Sequence, residues 1–287
     1  MRRRLLVLVL AVALVAVGCS PEESPQEVLA AAPNQTIAER TSRLDLDVNV
    51  TGGRAAGTFR GGGVFDYRAQ RGQIELDLST VGIPAPGGRA ELLLLGDLIF
   101  VKLPLDLPEL AGRPWVKVDV KQLGRQAGVD LSSLRQLQNN DPTPSMQFLE
   151  GVDTAEEVGK ETLRGTETTH YKATLDLARV RQRVAPEVKD DVDRIRDQLG
   201  VEKVPTDAWV DGEGRLRRLR QRIDLANAKT TGLDGQPLSG VVTNTFELYD
   251  FGVRVDVQEP PADQVSDLGT LFGGATPGPG AAVPAPG

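Results

Sequence analysis

Apolar and polar residues alternate with a period of two along much of this chain. The alternation is clearest in residues 43–50, where every second side chain is leucine or valine and the others are Arg, Asp or Asn. A period of two indicates a β-strand with one buried face, because successive side chains point to opposite sides of a sheet. Further extended segments are residues 58–67, 74–79, 91–95, 98–103, 115–120, 155–164, 168–177, 207–210, 215–225 and 241–251. The pattern predicts an antiparallel sheet of about ten or eleven strands joined by hairpins.

A single sheet of that size must curl and be covered if it is to bury its apolar face. Three consecutive glycines, Gly61, Gly62 and Gly63, lie within the second strand and predict a bulge or a sharp bend. Residues 121–151 and 178–199 have helical spacing, and Pro186 is expected to split the second of these helices. We therefore predict an α+β fold in which a strongly curved antiparallel sheet forms an unclosed half-barrel and helices cover its concave face.

The first residues of the chain have the features of a secretory signal peptide. Three arginines at positions 2–4 precede an apolar run of 13 residues, 5–17, which is too short to span a bilayer as a helix. The sequence Ala16-Val17-Gly18-Cys19 resembles the lipobox of bacterial lipoproteins, although the best-known form has Leu where this chain has Ala16. That resemblance implies that Cys19 is the lipid attachment residue and that the protein is anchored on the extracytoplasmic face of the cell membrane. The alternative is an ordinary signal peptide that ends near an incidental cysteine.

Changes in composition and periodicity divide the chain into four parts. We predict a signal peptide at residues 1–18, a lipidated tether at 19–34 and a folded domain at 35–259, with a short helix before residue 43. Proline and glycine dominate from residue 260 to residue 287, where no periodicity remains. This last segment is predicted to be a disordered tail.

Charge and composition exclude several classes of function. The formal net charge of −7 disfavours a nucleic-acid partner, and a single Cys and a single His exclude a disulfide framework and a His-pair metal site. His170 lies on a predicted strand without a Gly-x-Ser-x-Gly motif in the chain. The paired acids at 156–157 and 190–191 lie among Lys and Arg, as on solvated surfaces. We predict no catalytic residue, no metal and no cofactor.

Two sets of side chains are candidate binding residues. Arg218, Arg220 and Arg222 share one face of a predicted strand and could contact anionic lipid head groups, or could simply pair with acidic neighbouring strands. Aliphatic rows could line an apolar cavity for acyl chains, or could pack against the helices as a dry core. These rows comprise Leu44, Leu46, Val48, Val50, Ile74, Leu76, Leu78, Leu93, Leu95, Ile99 and Val101.

Several segments resemble the LppX/LprA/LprF/LprG lipoprotein family. Besides the lipobox that ends at Cys19, they are residues 43–50, 57–67, 115–120, 171–177 and 204–220, the last with Trp209-Val210-Asp211. The resemblance implies a fold similar to the lipoprotein carriers LolA and LolB, with a concave apolar surface that holds the acyl chains of a lipid. It also implies a non-enzymatic role in moving an envelope lipid or glycolipid, with an envelope transporter or acceptor protein as partner. A sensor or protein-interaction module with a filled core and an envelope hydrolase are the alternatives.

Overall fold

A large sheet organises the molecule. The computed structural model describes residues 23–53, 56–79, 88–102, 104, 108–110, 112–119, 146, 148–184, 186–229 and 239–267. Within these residues, twelve strands form one sheet in the order β12-β6-β5-β4-β3-β2-β1-β11-β10-β9-β8-β7. Every neighbouring pair is antiparallel except β12 and β6, which are parallel. The prediction of a mostly antiparallel sheet is confirmed.

The strands agree with the alternating segments of the sequence, with one addition. They are β1 Thr41–Thr51, β2 Gly57–Asp66, β3 Arg71–Asp77, β4 Arg89–Leu95, β5 Leu98–Lys102, β6 Trp115–Asp119, β7 Val152–Leu163, β8 Thr166–Asp176, β9 Lys203–Asp211, β10 Leu216–Asp224, β11 Val241–Tyr249 and β12 Val265–Asp267. Strand β12 lies in the segment predicted to be disordered, so that prediction is wrong for these residues. Three residues are too few to reveal a period, and β12 forms because it pairs with the edge of β6.

Helix α1, Pro25–Ala38, begins earlier than the predicted domain boundary at residue 35. Ser24 caps it: its hydroxyl accepts from the Glu27 amide, and the Glu27 carboxylate accepts from the Ser24 amide. Buried Thr36 then docks the helix on the sheet, because its hydroxyl accepts from the Leu216 amide at 2.9 Å. The predicted tether at 19–34 is therefore wrong from residue 25 onward, where the chain is helical.

Two further helices follow β8, as Pro186 predicts. Helix α2 is Leu177–Arg183 and helix α3 is Pro186–Leu199. Helices α1 and α2 pack against β7–β10, and α3 packs on α2. The predicted helical insert at 121–151 lies mostly outside the described residues. Within the described part of it, Phe148–Gly151 forms a 3-10 turn. Among the described residues no helix has the length and hydropathy to cross a bilayer.

The two faces of the sheet differ in chemistry. We call the apolar face the side that carries the buried residues Leu44, Ile74, Leu175, Leu219 and Leu248, and the polar face the opposite side. Residues of α1, α2 and α3 join the apolar face in one core, through Leu29, Val180 and Val192 among others. A smaller cluster on the polar face comprises Leu93, Phe100, Trp115 and Val257. The sequence alternation therefore separates a packed side from a largely charged side.

Candidate functional site

The aliphatic rows predicted to line a cavity lie mainly on the apolar face. Leu44, Leu46, Ile74 and Ile99 are buried in the main cluster. Partly buried side chains pack against it, namely Val48, Leu76, Leu78 and Val101. Val50 shares their side of β1 and is half-buried. The structure brings these residues together across β1, β3 and β5.

Leu93 and Leu95 do not belong to this surface, and their prediction as lining residues is wrong. Ile74 pairs with Leu92 across β3 and β4, so Leu93 points to the polar face and packs in the smaller cluster. The sequence carried a signal for this, because the two-residue turn Gly96-Asp97 places Leu95 opposite Leu98. Ile99 therefore shares a face with Leu94 and not with Leu93 or Leu95. Because β4 has four consecutive leucines and both of its faces are apolar, the apolar pattern alone does not show which leucines face the main core.

One end of the apolar face is only partly covered. Phe59 is 43% exposed and lies opposite Val48. Val50, Val242 and Ile223 form the next row along the same side and are half-buried. We call Val48, Val50, Phe59, Ile223 and Val242 the apolar rim. Such a contiguous set of incompletely buried apolar side chains is the surface at which an apolar ligand gains most from contact.

On the polar face, one row of side chains crosses the central strands. From β9 to β4 the paired residues are Trp209, Arg218, Glu247, Asp45, Gly62, Glu75 and Glu91. The next row along the strands alternates in charge, with Asp207, Arg220, Thr245, Asp47, Arg60, Asp77 and Arg89. Opposite charges on neighbouring strands stabilise the pairing of those strands. This face is therefore organised by cross-strand ion pairs.

A groove of about 740 Å³ lies on the polar face over β11, β1, β2 and β3. We call it the polar groove. Its charged lining consists of Arg43, Arg60, Arg89, Arg164, Asp45, Asp47, Glu75, Asp77 and Glu247. Arg60 pairs with Asp47 at 2.9 Å, and Arg89 pairs with Glu75 at 3.1 Å. No sequence pattern predicted this groove, because β11 and Arg164, which are distant in the chain from β1, β2 and β3, complete its walls.

Arg164 forms one wall of the groove. It lies in the turn between β7 and β8, yet its guanidinium reaches Asp45 of β1 and Glu247 of β11 and covers the Tyr249 ring at 4.0 Å. Four strand spacings of about 4.8 Å separate β8 from β1 in the sheet order. The hairpin tip must therefore bend over the polar face. Burial raises the pKa of Glu247, but hydrogen bonds and charges from Arg218 and Arg164 outweigh it, and the net pKa lies below 4.5.

His170 and Trp209 form a stacked pair beside the groove. Their ring centroids are 4.3 Å apart and nearly parallel. Nε2 of His170 lies 2.8 Å from Asp207, and its Nδ1 lies 3.2 Å from Glu161. Because each ring nitrogen already faces a carboxylate, the arrangement differs from that of a histidine base that contacts a nucleophile.

The three arginines proposed to contact head groups have different surroundings. Arg218 pairs with Glu247 and lies 5.1 Å from the Trp209 ring, and Arg220 lies 5.3 Å from the same ring. Arg222 is exposed. The contacts of Arg218 agree with the alternative interpretation, in which this strand pairs with acidic neighbours. Cys19, the predicted lipid attachment residue, lies outside the described residues.

The sequence of this chain is similar to those of two Streptomyces proteins. No family model matches the sequence. A 31.2 kDa protein encoded in the rplA–rplJ intergenic region of Streptomyces griseus is 27% identical over 173 residues, which are 58% of this chain and 53% of that protein. A candidate lipoprotein of Streptomyces coelicolor is 26% identical over 186 residues, 63% of this chain and 52% of its own length. The chain thus spans about half the length of these curated relatives.

Solved structures similar to this chain include two mycobacterial lipoproteins. Lipoprotein LppX of Mycobacterium tuberculosis matches with a TM-score of 0.46 and 15% identity, over 80% of this chain and 98% of LppX. LprF of Mycobacterium bovis matches with a TM-score of 0.44 and 13% identity, over 82% of this chain and 96% of LprF. LppX and LprF are members of the family that the sequence resembles.

Proposed function

We propose that this chain is an exported, lipid-anchored protein that binds the acyl chains of an envelope lipid or glycolipid against its apolar face and transfers that lipid without catalysis. The observation that supports it best is the apolar rim, where the buried core gives way to half-exposed aliphatic side chains and Phe59. The similarity to a candidate lipoprotein supports the anchor at Cys19 and a location at the cell membrane.

The physical chemistry of the rim suits an acyl chain. Burying one methylene group is favourable by about 0.8 kcal/mol, so a chain of about sixteen carbons gains enough to offset the cost of ordering it. The rim and the adjoining rows of β1 and β3 carry aliphatic side chains and Phe59, with no charge among them. A hydrocarbon chain is bound mainly through apolar contact area, and this surface supplies such area.

Native mass spectrometry of the full chain, purified in detergent from its envelope, tests the proposal. A non-covalent lipid adds mass under native conditions and is lost under denaturing conditions, whereas a covalent anchor on Cys19 remains in both. We expect Phe59→Asp to lower the fraction of lipid-loaded protein severalfold, because a carboxylate at the rim is costly to desolvate. Val158→Asp is the matched control, since Val158 is 49% exposed but lies on edge strand β7, away from the rim.

The same measurement separates the alternatives. Absence of a non-covalent lipid, or an equal loss in both variants, contradicts the proposal and favours an interaction module with a filled core. Hydrolysis of an envelope component that is abolished by His170→Gln would favour a hydrolase instead.

A further inference from the structure

Gly62 lies in the floor of the polar groove. The glycines on either side of it are required by close packing: a Cβ on Gly63 would lie 1.9 Å from the Gln73 carbonyl oxygen, and one on Gly61 would lie 2.8 Å from that of Glu75. The nearest atom to a Cβ on Gly62 is instead a side-chain atom, Oδ1 of Asp45, at 2.8 Å. Backbone packing therefore dictates two of the three glycines, whereas glycine at position 62 makes room for the Asp45 carboxylate.

The carboxylates beside Gly62 already have partners. Asp45 accepts a hydrogen bond from the Tyr249 hydroxyl at 3.0 Å and an ion pair from Arg164. Glu75 pairs with Arg89 across the strands. The two partners of Asp45 reduce the conformational freedom that it would lose when a ligand binds. The Glu75–Arg89 pair is exposed and orients Glu75 only weakly.

The balance of charge in the groove restricts the class of ligand. Four arginines and five acidic residues line it, so its formal charge is −1. A polyanion or a polycation would meet as many like charges as opposite ones, and a hydrocarbon would bury charged groups at high cost. A neutral ligand with many hydroxyl groups can hydrogen-bond to both the arginine and the carboxylate of each ion pair, because a hydroxyl can donate to a carboxylate and accept from a guanidinium.

The strands beneath the groove also disfavour a peptide. Strands β11, β1, β2 and β3 each have a hydrogen-bonded neighbour on both sides. Their main-chain groups are therefore unavailable to an added strand, which is a principal means of binding an extended peptide. We infer that the polar groove is a binding site for a neutral saccharide, recognised by the charged side chains around the glycine floor at Gly62. This site lies on the face opposite the apolar rim, so it is independent of the proposed acyl-chain binding.

Saturation-transfer-difference NMR with the full chain in lipid nanodiscs tests this site. The probes are mannotriose, maltotriose, arabinotriose and triacetylchitotriose, with glycerol phosphate, spermine and a neutral hexapeptide for comparison. We expect at least one trisaccharide to bind with a Kd below ~10 mM. Gly62→Thr, whose side chain would displace the Asp45 carboxylate, should weaken that binding about tenfold, and Glu75→Gln should weaken it at least about threefold.

Lys172→Gln is the control, because Lys172 is exposed on the polar face but does not line the groove. Its affinity for the trisaccharide should change less than about twofold. Far-UV circular dichroism shows whether each variant is folded. If Gly62→Thr does not fold, Glu75→Gln still tests the site. The inference is overturned if no trisaccharide binds, if only glycerol phosphate, spermine or the peptide binds, or if both groove variants bind like Lys172→Gln.

Discussion

Single glycine positions in β2 set limits on how this sheet can be substituted. A methyl group on Gly63 would overlap the Gln73 carbonyl oxygen, which is backbone and cannot move without disturbing the β2–β3 pairing. We expect Gly63→Ala to lower the free energy of unfolding by about 2 kcal/mol or more, as overpacking against backbone does. Urea denaturation followed by circular dichroism measures this change.

Gly212 provides the matched position for that experiment. It lies in the turn between β9 and β10, and a Cβ there would meet no atom within 4 Å. Gly212→Ala should change the free energy of unfolding by less than about 0.5 kcal/mol. Equal effects of the two substitutions would show that the close approach at Gly63 is not what demands glycine.

At the level of elements, the sequence predicts the existence of strands far better than the face that each side chain occupies. Eleven of the twelve described strands coincide with alternating or apolar segments, because one buried face imposes the period of two. The same rule fails for Leu93, since β4 is apolar on both faces. It fails again for the polar groove, because Arg164 joins Asp45 and Glu247 over 119 and 83 residues of chain.

Glu247 of β11 links β10 to the β7–β8 turn, and its contribution to the free energy of unfolding should depend on pH. It accepts hydrogen bonds from Arg218 of β10 at 2.8 Å and from Arg164 of the β7–β8 turn at 3.0 Å. Its pKa in the folded state is lower than the ordinary 4.5 of the unfolded chain, because these two arginines outweigh the opposing effect of burial. The stability that the carboxylate confers is therefore present above pH 4.5 and is lost as the pH falls through the folded-state pKa.

Glu247→Gln tests this dependence. We expect it to reduce the free energy of unfolding by about 1–3 kcal/mol at pH 7, because hydrogen bonds to a charged group are lost. The difference from the unsubstituted protein should shrink below pH 4.5. Glu167→Gln, in the exposed pair with Lys160, should have no measurable effect. A Glu247→Gln effect of the same size at neutral and acidic pH would contradict the assignment.

At the scale of the whole molecule, the start of α1 limits how far the sheet can lie from a membrane. If Cys19 carries the anchor, five residues, 20–24, lie between it and Pro25, the first residue of the helix, so the two are six residue steps apart. An extended chain covers at most about 3.5 Å per residue, so α1 begins within about 20 Å of the anchored sulfur. The predicted tether that ended at residue 34 would have allowed more than twice that reach. The N-terminus of α1, and the strands it packs against, would therefore be tethered near the bilayer surface.

This geometry depends on Cys19, and a single substitution tests it. The intact mass of the denatured, purified protein should correspond to a chain that begins at Cys19 and carries covalently bound acyl groups. Cys19→Ser removes the thiol that would carry them, so its mass should lack any lipid and the protein should leave the membrane fraction. A single acyl chain gives only marginal membrane binding, whereas two or more hold a protein stably. Ser20→Ala is the control, because it alters the neighbouring side chain and keeps the thiol. An unmodified cysteine in the mature protein, or membrane retention unchanged in Cys19→Ser, would mean that something other than an acyl anchor holds the domain near the bilayer.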